Sequence, residues 1–250
     1  MPTQKKIALI TGANRGIGFE TAKGLAKKGF HVLIGSRDEV KGARAVKELA
    51  KLDLTAESIV LDVTNEEDHQ NAFDWIQKKF GHLDVLVNNA GVWLDTANAS
   101  GKKPNHTSTT QMKMIRDTFD SNFFGVVALT QILLPLIRKS EAGRIVNLSS
   151  VLGSLTLHAD PKSGIFESKE FAYNASKSAL NAFTIHLAHE LKDTKIKVNS
   201  AHPGWVKTDM GGSSAPMELP DGAKTSIDLA TLSDEGPNGG FFHAGEKIPW

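Results

Sequence analysis

The sequence predicts an α/β domain in which a parallel β-sheet is covered by helices on both faces. Short apolar runs rich in β-branched residues alternate along the chain with longer stretches of helical period. These short runs are almost wholly apolar, which is typical of strands buried on both faces. The sequence shows no internal repeat and no linker rich in Pro, Ser or Gly, so its 250 residues fit one domain, residues 1–250.

Strands and helices follow one another in a regular order. The predicted strands are Ile7–Ile10, His31–Ile34, Ser58–Leu61, Val85–Val87, Arg144–Leu148, Ile196–Ser200 and the late pair Phe241–Phe242. The predicted helices are Ile17–Lys28, Glu39–Lys51, Glu66–Phe80, a long one near Thr110–Arg138, and Glu170–Leu191. Asp38 is placed to cap the helix that begins at Glu39. Residues 97–109 and 151–169 interrupt the alternation, and loops of this length in a compact domain are usually functional or disordered.

Composition and charge exclude several classes of function. Basic and acidic residues nearly balance, 29 against 28, so no electrostatic footprint for nucleic acid or anionic lipid is visible. The absence of cysteine excludes disulfides, thiolate metal sites and a cysteine nucleophile. No apolar run approaches the roughly 18–20 residues of a membrane span, and the N-terminus lacks a secretory pattern. We expect a cytoplasmic protein whose partner is a small molecule, with neither nucleic acid nor membrane.

Two clusters that resemble known sites do not have the required spacing. His186 and His189 lie three residues apart with Glu190 after both, whereas a zinc-protease helix needs histidines four apart with the acid between them. The acids Glu66–Asp68 suit the positive end of a helix dipole better than a glycoside-hydrolysing pair. The sequence therefore predicts no metal site.

A glycine-rich loop follows the first strand and precedes the first helix, in the order Thr11-Gly12-Ala13-Asn14-Arg15-Gly16-Ile17-Gly18. Glycines allow the main chain to turn tightly and to approach a pyrophosphate, whose charge suits the N–H groups at a helix N-terminus. The loop lacks the Gly-Lys-Ser/Thr of an NTPase. It therefore predicts a dinucleotide site, with a purely structural turn as the alternative.

Polar and glycine residues also end the third and fourth predicted strands, at Asp62-Val63 and at Asn88-Asn89-Ala90-Gly91. Ligands of open parallel sheets bind beyond the carboxyl ends of the strands. These residues are therefore expected to face the same crevice as the glycine loop. Asp62 has a second interpretation as a helix cap, because Thr64-Asn65-Glu66 follows it.

Tyr173 and Lys177 lie four residues apart on a predicted helix and therefore share one helix face. A free phenol with a pKa of about 10 is a weak catalyst at neutral pH, but a nearby ammonium favours the phenolate and lowers that pKa. Upstream, Ser149 and Ser150 end the fifth strand, where a hydroxyl can donate to a carbonyl oxygen that gains charge. Asn122 is either a surface residue or part of a buried helix face.

Together these motifs resemble the short-chain dehydrogenase/reductase family. The matching residues occur in the family's order and span nearly the whole chain: Thr11–Gly18, Asn88–Gly91, Asn122, Ser150, Tyr173 with Lys177, and Pro203-Gly204. The resemblance implies a single Rossmann-type domain with a seven-stranded parallel sheet and an NAD(P)-dependent hydride transfer. The run Trp205–Met210 is most similar to the carbonyl reductases of the family.

The resemblance also implies roles for individual residues. Tyr173 would be the general acid/base, and Lys177 would lower its pKa and hold the nicotinamide ribose. Ser150, rather than Ser149, would orient the substrate oxygen, and Asn122 would hold a water of the proton relay. Cofactor contacts would come from Gly12, Asn14, Arg15, Gly16, Ile17, Gly18, Ser36, Arg37, Asp62, Val63, Asn89, Ala90, Gly91, Tyr173, Lys177, Pro203, Gly204, Val206 and Thr208.

Substrate residues are less sharply indicated. Trp93, Trp205 and Met210 are candidates beside Ser150 and Tyr173, with ordinary packing as the alternative for the two tryptophans. Pocket shape would depend on residues 97–109, 151–169 and 211–226. The interval of 23 residues from Ser150 to Tyr173 is longer than is typical of the family, and it borders a region used in assembly, so monomer, dimer and tetramer all stay open.

The choice between NADP and NAD rests on the end of the second strand. Asp38 lies 20 residues after Gly18, a spacing that favours NAD. In the family, however, the NAD-selecting acid is normally at the strand tip, where this chain has Ser36. Arg15 and Arg37 suit a 2′-phosphate, unless they are merely solvated. The sequence thus predicts NADPH-dependent reduction of a ketone or aldehyde. The alternatives are an NAD-dependent alcohol or hydroxysteroid-type dehydrogenase and a non-catalytic dinucleotide-binding sensor.

Overall fold

A computed structural model describes residues 5–95 and 106–250. Within these residues one sheet of eight strands has the order β3-β2-β1-β4-β5-β6-β7-β8. The first seven strands are parallel and the short β8 runs antiparallel to β7. The strands are β1 Ile7–Thr11, β2 His31–Ser36, β3 Ala56–Val60, β4 Val85–Asn88, β5 Arg144–Leu148, β6 Lys197–Ala201, β7 Phe241–His243 and β8 Glu246–Lys247.

Helices connect the parallel strands. They are α1 Gly16–Lys27, α2 Glu39–Ala50, α3 Glu66–Lys79, α4 Met112–Phe119, α5 Gly125–Ile137, α6 Leu155–Ala159, α7 Phe171–Glu190 and α8 Leu219–Ala230. A π-helical turn, Asp120–Phe124, joins α4 to α5, and 3₁₀ turns occupy Thr107–Thr109 and Val151–Gly153. The chain runs outward from β1 to β3 and then returns to place β4 beside β1, so the sheet has its reversal point between β1 and β4.

Alternating strand residues form two separate cores, one on each face of the sheet. Leu9 and its equivalents on other strands pack against α3, α5 and α7, through residues such as Leu133. Ile10 and its equivalents pack against α1, α2 and α8, through residues such as Leu25. The period of two along each strand therefore provides an apolar surface for helices on both faces.

The fold class and the seven parallel strands are confirmed, and most predicted elements agree with the structure to within one or two residues. β3 begins at Ala56, two residues before the expected Ser58, and ends at Val60, one residue before the expected Leu61. Three further elements are present. The structure adds the antiparallel strand β8 and the helices α6 and α8, none of which was predicted.

The α4–α5 stretch corrects one expectation about apolar length. Met112–Ile137 is a continuous helical stretch of 26 residues, and an 18-residue part of it has a mean hydropathy of 1.4, so by those two measures it is long and apolar enough to cross a membrane. Residues Leu129, Leu133 and Leu136 are buried in the core against the sheet and α3. Packing inside the domain accounts for the apolar character of this stretch.

Candidate active site

Most predicted site residues lie in loops at the carboxyl ends of β1 to β6 or on the first turns of α1 and α7, and Asn122 lies in the π-helical turn between α4 and α5. Because these strands are parallel neighbours, their carboxyl ends form one edge, and the sheet reverses its order at β1 and β4 in the middle of it. The glycine loop follows β1, and Gly91 follows β4. Ser150 follows β5, and Gly204 follows β6. Motifs far apart in sequence therefore meet along one crevice.

The glycine loop leaves space for a ligand at the start of α1. Gly16 has a φ of +59°, and a Cβ placed there would meet no atom within 4 Å. At Gly18, by contrast, a Cβ would lie 2.5 Å from the Asn89 Nδ2 atom and 2.7 Å from the Gly12 carbonyl oxygen, so only glycine fits. Within the part of the chain that the structure describes, no side chain caps α1.

Thr11 and Asn89 tie the glycine loop to the end of β4. The Thr11 hydroxyl accepts hydrogen bonds from the main-chain N–H groups of Asn89 (3.0 Å) and Ala90 (2.9 Å). The Asn89 side chain donates to the carbonyl oxygen of Thr11 at 2.7 Å. These bonds hold the two loops at the reversal point together. The Asn89 amide thus has a structural function whether or not it also contacts a cofactor.

At the end of β2 the side chains of Ser36 and Asp38 both bind main-chain groups. The Ser36 hydroxyl donates to the Asp38 carbonyl oxygen at 2.8 Å. The Asp38 carboxylate accepts from the Lys41 main-chain N–H at 2.9 Å, which makes it the N-cap of α2, and these bonds hold its pKa below its usual value. Arg37, between the two residues, is exposed. Asp38 is therefore directed at its own helix.

Asp62, at the end of β3, forms a turn rather than a helix cap. Its carboxylate accepts from the N–H and the hydroxyl of Thr64, at 2.9 and 2.8 Å. The cap of α3 is Asn65, whose side chain accepts from the main-chain N–H of Glu67. The alternative interpretation of Asp62 as a cap is wrong. Its expected cofactor contact, like that of Val63, stays a prediction.

The predicted catalytic side chains converge at the start of α7. Tyr173, Lys177 and Ser150 are 8%, 5% and 8% exposed, so the site is shielded from bulk water. Gly91 lets the β4 loop approach, because a Cβ there would lie 3.6 Å from the Lys177 Nζ atom and 3.1 Å from the Asn122 Oδ1 atom. Residues from β4, β5, α7 and the π-helical turn thus surround one small volume.

The Lys177 ammonium is hydrogen-bonded to the main chain at the end of β5. Its Nζ atom donates to the carbonyl oxygen of Leu148 at 2.7 Å and lies 5.7 Å from the centroid of the Tyr173 ring. Burial raises the pKa of Tyr173 to about 12; hydrogen bonding to Ser150 opposes the rise and the charge of Asp95 adds to it. Burial also lowers the pKa of Lys177 to about 8. The net direction for the phenol pKa is therefore upward, because desolvation dominates, and the expectation that Lys177 lowers it stays a prediction.

Asn122 is fully buried within the π-helical turn, which settles the choice between a surface and a buried residue. Its side chain accepts from the N–H of Val92 and donates to the carbonyl oxygen of Val92, both at 2.8 Å. It also donates to the Ser176 hydroxyl at 3.0 Å. The amide thereby fixes the β4 loop against α7. A contact between Asn122 and a relay water stays a prediction.

Of the candidates Trp93, Trp205 and Met210, Trp93 is the one seen stacked on a predicted catalytic side chain within the described ranges. Its ring stacks on that of Tyr173, with centroids 4.9 Å apart and planes at 23°. Trp205 is 56% exposed, and its indole N–H donates to the Gly211 carbonyl oxygen at 2.8 Å. Met210 is 44% exposed in the same loop.

An ion pair spans the crevice between the glycine loop and the loop after β6. Arg15 pairs with Asp209, and both side chains are mostly exposed. In the same loop the Thr208 hydroxyl accepts from the Gly211 N–H at 2.8 Å, and Val206 is buried. Pro203 and Gly204 lead from β6 into this loop. Asp209 thus joins the site as a partner of Arg15 that the sequence did not predict.

Asp95 is a second residue that the sequence analysis missed. Its carboxyl group is buried beneath the first turn of α7 and accepts from the main-chain N–H groups of Ala172 and Tyr173. Neither spacing nor composition indicates such a contact across 77 positions. The adjoining predicted substrate loop, residues 97–109, falls largely outside the described residues, because positions 96–105 are not among them.

These features fit a nicotinamide dinucleotide. The open space beside Gly16 and the uncapped start of α1 suit a phosphate group. At Gly12, which has a φ of +63°, the main chain turns away from the place where this phosphate would lie. The close approach of Gly91 to Lys177 leaves a polar, shielded place at the other end of the crevice. The arrangement can bind an extended anionic ligand and present a phenol to its far end.

Comparisons with known proteins agree with this geometry. A family profile described as short chain dehydrogenase matches residues 6–219. Mouse "Carbonyl reductase [NADPH] 1" is 31% identical, with all of both chains covered. The solved "Carbonyl reductase Sniffer of D. melanogaster" is 31% identical over 99% of this chain and 100% of that one, with a TM-score of 0.81. The NADPH-bound carbonyl reductase from chicken fatty liver is 26% identical over 98% and 99%, also with a TM-score of 0.81.

Proposed function

Because the chain belongs to the short-chain dehydrogenase family, we propose that it reduces the carbonyl group of a ketone or aldehyde with NADPH, using Tyr173 as the acid. Membership makes the chain an oxidoreductase that acts on small molecules. The cofactor, the direction of reaction and the roles of individual residues go beyond membership, and the site's geometry supports each of them.

The observation that carries the proposal is the buried Tyr173 hydroxyl beside Ser150 at the carboxyl edge of the sheet. Burial keeps the phenol pKa at about 12, so the group holds its proton at neutral pH. Reduction of a carbonyl needs a proton donor, whereas oxidation of an alcohol needs a base. A protonated phenol in a shielded pocket can therefore act as the acid that reduction needs.

Each residue of the site contributes a separate task to the reaction. When bound, NADPH supplies the hydride that the carbonyl carbon accepts. The Ser150 hydroxyl donates a hydrogen bond to the substrate oxygen and holds it near the phenol. Tyr173 then transfers its proton to that oxygen as negative charge develops there. Lys177 places a positive charge one helical turn away, where it favours the phenolate that remains.

The carboxyl end of β2 supports NADPH over NADH. An acid that selects NAD must reach the ribose hydroxyls, but the Asp38 carboxylate caps α2 and pairs with Lys41 at 3.1 Å. Arg37 is exposed beside the strand tip, and Arg15 lies in the glycine loop. Guanidinium groups bind phosphate by charge-assisted, often bidentate hydrogen bonds. The names of the mouse and chicken relatives, which include NADPH, support the same choice.

The substrate we propose is a small to medium apolar carbonyl compound. Trp93, stacked on Tyr173, supplies an apolar wall beside the acid. A cytoplasmic location is part of the same proposal, and it rests on composition alone.

The proposal is tested by mixing the purified protein with NADPH and a panel of aldehydes, ketones and diketones while absorbance of the reduced cofactor is followed. The expected result is oxidation of NADPH with at least one apolar carbonyl compound. Binding of NADPH without turnover on any of them would indicate a sensor. Turnover only of alcohols with NAD would indicate the dehydrogenase alternative.

A further inference from the structure

We propose that Asp95 is a positioning residue for the acid Tyr173, because its buried carboxylate anchors the first turn of α7 and places a negative charge at the main-chain N–H of Tyr173. The inference rests on the proposed function in one respect, the use of Tyr173 as a proton donor. The positions of Asp95 and Tyr173 themselves do not depend on it.

The anchor consists of hydrogen bonds to the start of the helix. Asp95 is 1% exposed, and its Oδ2 atom accepts from the main-chain N–H of Ala172 at 2.6 Å. The Tyr173 main-chain N–H lies 3.3 and 3.4 Å from the two carboxylate oxygens. The first N–H groups of a helix have no partner within the helix, and the local cap residue, Glu170, provides no side-chain bond to them. Asp95 takes the place of a local N-cap from 77 residues away.

The same short segment also holds the ring of Tyr173. Trp93, two residues before Asp95, stacks on the phenol ring. The Asn122 side chain accepts a hydrogen bond from the main-chain N–H of Val92, the residue before Trp93, and donates one to the Val92 carbonyl oxygen. The end of β4 thus contacts Tyr173 at its main chain and at its ring. Asp95 therefore helps to fix the helix turn from which the phenol ring projects.

Charge gives Asp95 a second effect, which a neutral cap would lack. Among the described residues, the groups that face Tyr173 are Asp95 and Trp93 from the β4 segment, Ser150 from β5 and Lys177 from α7 itself. Only Asp95 and Lys177 of these carry charge, and the ammonium is directed at Leu148. The negative charge raises the pKa of Tyr173 together with burial. Asp95 therefore shifts ionisation of the phenol to higher pH.

Tyr173 is the only tyrosine in the chain, so tyrosinate absorbance reports its ionisation alone. The titration needs neither cofactor nor substrate. It compares wild type with Asp95→Asn, which removes the charge at nearly constant shape. The matched control is Asp84→Asn, because Asp84 is also buried and accepts a main-chain N–H, that of Ile7 at 2.7 Å, far from Tyr173.

At about pH 10, well below the Tyr173 pKa of about 12, the phenolate fraction is expected to rise about three- to tenfold in Asp95→Asn, as a pKa lower by about 0.5 to 1 requires. The control is expected to match wild type. An unchanged fraction in natively folded Asp95→Asn, by circular dichroism, or an equal rise in the control would overturn the proposal. Where Asp95→Asn fails to fold, Asp95→Ser keeps a short neutral cap and is judged by the same criteria.

Turnover supplies a second readout. In the NADPH assay, the alkaline limb of kcat/KM is expected to move to lower pH in Asp95→Asn, since the phenol loses its proton earlier. A lower rate with an unmoved limb would show a purely structural role and overturn the proposal. If the wild type oxidises no NADPH with any carbonyl compound, the proposed function fails, whereas the absorbance titration still tests Asp95.

Discussion

The Lys177 Nζ atom donates to the Leu148 carbonyl oxygen at 2.7 Å and stands 5.7 Å from the centroid of the Tyr173 ring. One helical turn separates the two residues, so their side chains share a face, yet the ammonium is directed at the end of β5. The ammonium is thereby buried within the domain. That burial lowers its pKa to about 8.

Lys177→Met is expected to stabilise the protein at neutral pH. Below about pH 8 the folded wild type holds a buried ammonium, and between about 8 and 10.5 only the unfolded chain binds that proton, so wild-type stability rises with pH across this window. The free energy of unfolding is expected to rise by about 2 kcal/mol in the variant, once loss of the hydrogen bond to Leu148 is subtracted. This gain should shrink as pH rises through the window. Urea unfolding at several pH values measures it. A variant less stable by the same amount at every pH would contradict the prediction.

Joint replacement of Arg15 and Arg37 by alanine is expected to lower the preference for NADPH over NADH by roughly a hundredfold or more, because each loses a charge-assisted bond to the 2′-phosphate. The ratio of kcat/KM for the two cofactors measures it. Arg44→Ala, an exposed arginine on α2, and Asp38→Asn should leave the ratio unchanged. A wild-type preference for NADH would contradict the assignment of Arg15 and Arg37 to the 2′-phosphate. So would a kcat/KM ratio that changes in Asp38→Asn but not in the double arginine variant.

Asp209→Asn is expected to tighten NADPH binding by up to about fivefold, since Arg15 no longer has a competing carboxylate; exposed ion pairs contribute little more than this. Dissociation constants for NADPH and NADH, measured by fluorescence, should show the change for NADPH alone. Asp228→Asn on α8 is the control. Equal tightening for both cofactors would mean that Arg15 does not bind the 2′-phosphate.

Ser149 and Ser150, which follow β5, are expected to differ sharply in their effect on kcat. The Ser150 hydroxyl lies beside the phenol, whereas the Ser149 hydroxyl is buried and has no hydrogen-bond partner among the described residues. Ser150→Ala should lower kcat for carbonyl reduction by about a hundredfold or more, the usual cost of losing a donor to a developing oxyanion. Ser149→Ala should change it only a few-fold. The reverse order would mean that Ser149 orients the substrate.

Local patterns predicted most of the fold, and the misses have physical reasons. The apolar run Ser58–Leu61 was read as β3, but the strand lies at the sheet edge, where Glu57 and Val60 face partly outward and pairing with β2 sets its limits. α8 was not predicted because it contains Pro220 and Gly222, two residue types that are unusual within helices. Pro220 is tolerated in the first turn of a helix, and Gly222 is needed because a Cβ would meet Val206 at 2.6 Å.

Within the site, the motifs indicated which residue types meet but not how their side chains are directed. Helical spacing placed Tyr173 and Lys177 on one face, but the orientation of the ammonium depends on the Leu148 carbonyl, 29 positions away. The contacts of Asp95 with α7 and of Asp209 with Arg15 are likewise long-range. No local pattern encodes them.

The turnover of Tyr173→Phe tests the central claim most directly, because phenylalanine removes only the hydroxyl that would donate the proton. The account predicts that kcat for reduction with NADPH falls by about a hundredfold to ten-thousandfold. The dissociation constant for NADPH should stay within a few-fold of wild type, since the ring still packs against Trp93. Near-normal turnover in this variant would contradict the account.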